Sequence, residues 1–138
     1  VFLNATPSGT NGIWGHYGLS GNHCYFECLS TYTRILLGNR DYTSAPAMTV
    51  GSWQYVGFTS DGTNHAYYVN GSLSNSWTGT TGTILGGNGS SPSSNMLGRS
   101  DSGRVWNGRI AHFSVHNVQL TASEINNNYN ALRGRYGV

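Results

Sequence analysis

Five carboxylates, five histidines and two cysteines are the groups in this chain most able to do covalent or metal chemistry. General acid–base work needs two carboxylates brought together, yet Glu27, Asp41, Asp61, Asp101 and Glu124 are scattered, with no two of them neighbours. Asp61 falls in a hairpin turn, S-D-G-T-N, and Glu124 in a helix-capping position, so both have local structural work. Cys24 and Cys28 form C-Y-F-E-C. On a strand they would share a face about 13 Å apart, too far for a disulfide, and a zinc site would need ligands beyond nearby His23. They read as two free thiols, with a local bridge across a turn as the alternative. His112 and His116 share one face of an alternating stretch, which reads as polar residues on a less buried face rather than as a metal pair. There is no G-x-S-x-G, no P-loop and no CxxC pair.

Binding chemistry is better supplied than catalysis. Sugar rings present C–H faces that pack on aromatic planes, and their hydroxyls pair with Asn, Ser, Arg and backbone groups. Trp14, Tyr17, Tyr42, Trp77 and Trp106 stand beside Gly, Asn, Ser or other small polar residues rather than inside apolar runs. Arg99 follows the long polar stretch from Thr78 to Asn95, and Trp77 precedes it. These six are the candidate contacts for a carbohydrate or protein partner. Trp53, by contrast, is assigned to the core.

The elements that must position these residues are mostly strands. Charged residues make up 9% of the 138, whereas nine Tyr and four Trp accompany 20 Gly. Few helix formers and many turn formers imply an all-β chain with short strands, and the aromatic content argues against disorder. The length suits a single domain spanning residues 1–138. Formal net charge is +2, from seven Arg and no Lys. Arg104, Arg109, Arg133 and Arg135 fall late but separated, so no basic stripe for nucleic acid is expected. No stretch is long or apolar enough to span a bilayer.

In order, Val1–Leu3 is a short strand, Ile13–Gly18 a bulged one, and Arg34–Gly38 a buried one followed by a loop over 39–46. Trp53–Thr59 and His65–Asn70 flank the Asp61-Gly62 turn as a hairpin, and Asn70-Gly71 leads into Ser72–Trp77. The run from Thr78 to Asn95 reads as loop, and Met96–Ser100 as a short strand. From Trp106 the residues alternate, with Ala111, Phe113 and Val115 on one face of a buried strand. Thr121 and Glu124 then form a capping box, worth about 1 kcal/mol, at the start of a helix bearing Ile125, Tyr129 and Leu132 on one side and ending at Gly134.

Together these pieces resemble a known family. Trp53, Asp61-Gly62, Tyr68-Val69-Asn70-Gly71, Leu97-Gly98-Arg99, Asn107-Gly108-Arg109-Ile110, Asn117, Leu120, Thr121 to Ile125 and Tyr129 follow, in order, the pattern of the laminin G-like, concanavalin A-like jelly roll. The resemblance covers about residues 50–138. It implies an all-β, antiparallel two-sheet jelly-roll sandwich with one short C-terminal helix. The ending Asn128–Val138 is similar to the tails of such domains in bacteriophage structural proteins. The expectation is therefore a non-enzymatic virion surface protein, a capsid decoration, fibre or tail component, with a glycan-binding or adhesion role. A free-standing or secreted lectin-like module is the alternative, and a glycan-cleaving enzyme a weaker one. Such enzymes carry clustered acids, commonly E-x-D-x-x-E, and a pair about 5 Å apart or somewhat more; that cluster is missing here. No cofactor is expected, with calcium held by one Asp and carbonyls as the minor alternative. Expected partners are cell-surface or capsule polysaccharide and other virion proteins, in a homo-oligomer or larger assembly at a virion surface or outside the cell, without nucleic acid or membrane insertion.

Overall fold

The computed structural model describes residues 1–17, 23–38, 40–81, 94–100 and 103–138, with Tyr17, Thr43, Ser44, Ala45 and Ser94 described in their backbone only. Ten strands and one helix occur among these residues: β1 (Phe2–Leu3), β2 (Asn11–Tyr17), β3 (His23–Cys28), β4 (Tyr32–Gly38), β5 (Arg40–Pro46), β6 (Val56–Ser60), β7 (Asn64–Val69), β8 (Ser72–Thr78), β9 (Ser94–Leu97), β10 (Gly108–Arg109) and α1 (Ala122–Tyr136). The all-β expectation holds. Every strand pairing is antiparallel, in a five-stranded sheet, a three-stranded sheet and the pair β1–β10. No described helix is long and apolar enough to cross a membrane. The chain forms two compact units that alternate along it: residues Val1–Ala5, Thr49–Thr80 and Gly108–Val138 make one, Thr6–Met48 and Thr81–Asn107 the other.

The second unit holds the five-stranded sheet, in the order β5-β4-β3-β2-β9. Its centre, β3, is joined to β4 by a tight turn in which the Leu29 amide donates to the Tyr32 carbonyl at 2.9 Å. That turn fixes the register Glu27 opposite Arg34 and Tyr25 opposite Leu36. Because strand side chains alternate, Cys24, Phe26 and Cys28 share one face and His23, Tyr25 and Glu27 the other. Ile13, Cys24, Cys28, Ile35, Leu37 and Met48 are all buried. Both cysteines are free, as expected. Burial pushes the Cys24 thiol up to about 12, which keeps it protonated and inert at neutral pH. The expected irregularity in β2 is a register shift between Gly12 and Trp14.

Residues 40–46 form an edge strand rather than the expected loop. Tyr42, opposite Ile35, is buried, and the Thr33 hydroxyl donates to the Pro46 carbonyl at 2.7 Å. Pro46 sits at the strand end, where its missing N–H is tolerated. The Thr78–Asn95 loop expectation lies mostly outside the described residues; at its ends Thr78 closes β8 and Ser94 and Asn95 open β9.

The first unit is built on the meander β6-β7-β8. Asp61 holds the β6–β7 turn by accepting from the amides of Thr63 and Asn64, at 2.8 and 2.6 Å, and from the Asn64 side chain. Those donors, Asn64 first, hold its carboxyl down at about 2. Asn70 and Gly71 both have positive φ, 49° and 78°, as a two-residue hairpin turn requires. Tyr67 and Tyr68 are buried, and so is His65, whose Nε2 must donate to the Gly79 carbonyl at 2.8 Å while Nδ1 meets the Ser60 hydroxyl at 2.9 Å.

Three expectations fail in this unit. Trp53 lies ahead of β6 and is half-buried, bridged to Phe2, rather than central to a core strand. The buried strand expected beyond Trp106 shrinks to β10; residues 110–119 have no regular structure, and Phe113, Val115 and Val118 are exposed. Alternation makes a strand only where a partner supplies ladder hydrogen bonds, and β1 pairs with β10 over two residues. Lastly, α1 continues through Gly134 and ends at Gly137, in the left-handed conformation with φ 68°. Packing of Tyr136 on Trp53, with ring centroids 5.9 Å apart, holds the last turn against the roughly 1 kcal/mol penalty of an internal glycine. At the other end the capping box is complete, the Thr121 amide donating to Glu124 at 2.8 Å and the Glu124 amide to the Thr121 hydroxyl at 3.3 Å. Ile125 is buried, and Tyr129 and Leu132 are half-buried on the same side. Thr121→Ala is expected to lower stability by about 1 kcal/mol, read as a shift of the denaturant midpoint.

Candidate functional site

The side chains with most chemical potential converge on the Tyr25–Glu27 face of the five-stranded sheet. Glu27 is fully buried, which a carboxylate tolerates only with partners. It has three. The Ser100 hydroxyl donates to Oε1, Arg104 Nη1 lies 3.1 Å from the same oxygen, and Arg34 Nη1 lies 3.5 Å from Oε2. The second Arg34 amino group reaches Asp41 Oδ2 at 3.0 Å. The row Asp41–Arg34–Glu27–Arg104 thus alternates in sign and sums to zero. Its ends reach solvent, with Asp41 40%, Arg104 35% and Arg34 23% exposed in their side chains. The Arg104 guanidinium lies over the Tyr25 ring, 5.9 Å from its centroid, and Tyr25 stacks on His23 at 5.4 Å.

Local folding explains this convergence. Glu27 and Arg34 are cross-strand partners of the β3–β4 hairpin, and Asp41, paired with Leu36, lies on the same face of β5. Ser100 and Arg104 come from the turn after β9, which is laid on β2 by backbone bonds. The Gly98 amide donates to the Ile13 carbonyl at 2.7 Å, while the amides of Gly12 and Ser100 both donate to the Arg104 carbonyl, at 3.3 and 3.1 Å. Only residues without a side chain fit beneath it. A Cβ on Gly12 would collide with the Ser100 amide nitrogen, and one on Gly15 with the Ser100 carbonyl.

The six residues singled out from sequence are distributed as follows. Arg99 and Trp106 stand on this same turn, Arg99 bridged to Val105 and the Trp106 amide bonded to Gly98. Both are half-buried. Trp14, also half-buried, pairs with Phe26 and Leu97 and therefore lies on the opposite face of the sheet from Glu27. Tyr42 belongs to the core, so its ring is not a surface platform. The side chain of Tyr17 lies outside the described residues. Trp77, half-buried on β8 opposite His65, belongs to the other unit. Sequence reasoning missed Glu27, Arg34, Asp41, Ser100 and Arg104. The available signal was the symmetric placement of Glu27 and Arg34 about a turn at 29–31.

Chemically, the face offers two guanidiniums locked in place and one exposed carboxylate acceptor. Its buried carboxylate is ion-paired twice. Glu27 and Asp41 are engaged with arginine, Asp61 with its turn and Glu124 with the helix cap, and no group of three or more His, Cys, Asp or Glu among the described residues is arranged to hold a metal.

Comparison with known proteins supplies the lineage. Residues 2–126 match the laminin G family model described as the Concanavalin A-like lectin/glucanases superfamily. Among solved structures, a crystal structure of an S-layer domain-containing protein from Clostridium thermocellum, residues 221–444, is similar in fold. It shares 20% sequence identity at a TM-score of 0.51, over 94% of this chain and 67% of that one. No curated protein sequence matches the chain significantly.

Proposed function

Since the chain belongs to the Concanavalin A-like lectin/glucanases superfamily, which holds both binding proteins and glycan-cleaving enzymes, we propose that it is a non-catalytic glycan-binding module of a surface or extracellular protein. One observation carries the choice. Glu27, the carboxylate at the centre of the five-stranded sheet, holds Arg34 and Arg104 instead of facing a substrate. A guanidinium fixed by a buried carboxylate is a donor set in one direction, which suits sugar hydroxyls; Arg104, tied through Nη1 and 35% exposed in its side chain, offers this most directly, while Arg34 bridges Glu27 and Asp41. Asp41 adds an acceptor beside them. Preorganised polar groups lose little freedom on binding, which favours a specific site over a merely sticky one.

The test is a panel of immobilised neutral glycans. A glycan retained by the wild-type chain should lose at least tenfold in affinity with Arg104→Ala or Arg34→Ala, and much less with Trp77→Ala, which alters the other unit. Equal affinity in all three variants would move the site elsewhere.

A second reading, assembly into a virion, fibre or comparable surface array, draws on a different observation. Phe113, Val115 and Val118 are 41%, 68% and 64% exposed on a segment without strand partners, and exposed apolar groups of this kind favour protein contacts. In that reading the polar face and the apolar segment serve one particle component, and light scattering should show an oligomer that Val115→Asp dissociates.

A further inference from the structure

Arg34 and Arg104 have carboxylate partners, but the arginines of the other unit do not. Arg109 and Arg135 make no ion pair among the described residues, and both are exposed. The two acids of that unit are already engaged, Asp61 by its turn and Glu124 by the helix cap. Each guanidinium instead lies on an aromatic ring. Arg109 is 5.5 Å from the centroid of Phe2, its cross-strand partner in the β1–β10 pair. Arg135 is 5.5 Å from the centroid of Tyr136.

The two rings are joined by a third. Phe2 meets Trp53 edge-on at 5.5 Å, and Trp53 meets Tyr136 at 5.9 Å with 37° between planes. All three rings are half-buried. The result is a row of three aromatic rings with an unpaired guanidinium at each end. Arg135 in the last helical turn also offsets the helix dipole, but any cation there would do so without stacking on a ring. A guanidinium placed over a ring is restricted before any ligand arrives, and both Arg109 and Arg135 remain exposed.

We propose that this row is a second ligand site, for a polysaccharide bearing carboxylates, such as a polyuronate. Carboxylates pair with guanidinium edges in a bidentate geometry, and the C–H faces of the sugar rings between them pack on the exposed parts of Phe2, Trp53 and Tyr136. Two cations separated by three rings call for a ligand with more than one charge along its length, so a polymer fits better than a single acidic sugar. The aromatic floor favours sugar over a phosphate polymer, because two guanidiniums separated by three rings do not follow a charge at every residue. This site goes beyond the neutral-glycan reading and does not rest on it.

The experiment uses the whole chain with polygalacturonate and with its fully methyl-esterified form, measured by affinity electrophoresis and calorimetry. The expected results are binding to polygalacturonate, at least tenfold weaker binding to the ester, and weakening with added salt. Arg109→Gln with Arg135→Gln should reduce polygalacturonate binding at least tenfold, while Arg40→Gln, which removes an exposed arginine of the other unit, leaves it unchanged. That last comparison separates this site from a general effect of positive charge. Should the double variant lower the thermal midpoint, the ester comparison on the wild-type chain decides alone. No binding to polygalacturonate, equal binding to the ester, or tighter binding of single-stranded DNA of equal charge would each overturn the proposal.

Discussion

Glu27→Ala lowers the stability of the protein by about 3 kcal/mol, toward the low end of what breaking a buried ion pair costs. The magnitude follows from what the substitution leaves behind. Ser100 loses the Glu27 acceptor, Arg104 loses its ion pair with Glu27, and Arg34 keeps its pair with Asp41. Both guanidiniums have some access to water, 23% and 35% by side chain, so part of the loss is recovered by hydration. Glu27→Gln keeps the shape and one acceptor oxygen while removing the charge, and should fall between alanine and wild type. Urea denaturation measures both. Midpoints equal to wild type would show that the row is a surface ornament rather than the anchor of the turn.

Gly12→Ala is the second large effect, at roughly 2–3 kcal/mol by overpacking. The added methyl meets the Ser100 amide nitrogen and the Arg104 carbonyl, both backbone atoms, so no rotamer relieves the collision. The turn carrying Ser100, Arg104 and Trp106 must lift from β2, which strains or breaks the bonds from Gly12 and Ser100 to the Arg104 carbonyl. Amide exchange at Ser100 should accelerate, and the thermal midpoint should fall. Gly9→Ala is the control, since a Cβ there meets nothing within 4 Å. If Gly12→Ala and Gly9→Ala behave alike, the turn is not seated as described.

The contrast between what was legible in the sequence and what was not has a physical pattern. Local chemistry was legible. The capping box at Thr121 and Glu124, the Asn70-Gly71 turn and the Asp61 turn each depend on residues a few positions apart, and each is formed. Elements that depend on a partner strand were misread in both directions. Residues 40–46 look like a loop, yet pairing with β4 makes them a strand, whereas 110–116 alternate like a strand but form none among the described residues. The candidate site divides in the same way. Arg99 and Trp106 stand out by composition, but the groups that organise their turn do not. Glu27 and Ser100 lie 73 residues apart, and Glu27 and Arg104 lie 77 apart. Scattered acids likewise suggested no carboxylate pair, yet Glu27 and Asp41 both reach Arg34.

That shared arginine makes the distinction between binding and cleavage the central question for this face. The most direct measurement is to incubate a glycan retained by the wild-type chain with the protein and follow both its retention and its chain length. The account predicts that the glycan is recovered uncut, with no reducing ends above a protein-free control, and that Glu27→Gln weakens retention. Shortened chains whose appearance is abolished by Glu27→Gln or Asp41→Asn would contradict it, because the two carboxylates would then be acting as a catalytic pair rather than as the anchors of Arg34 and Arg104.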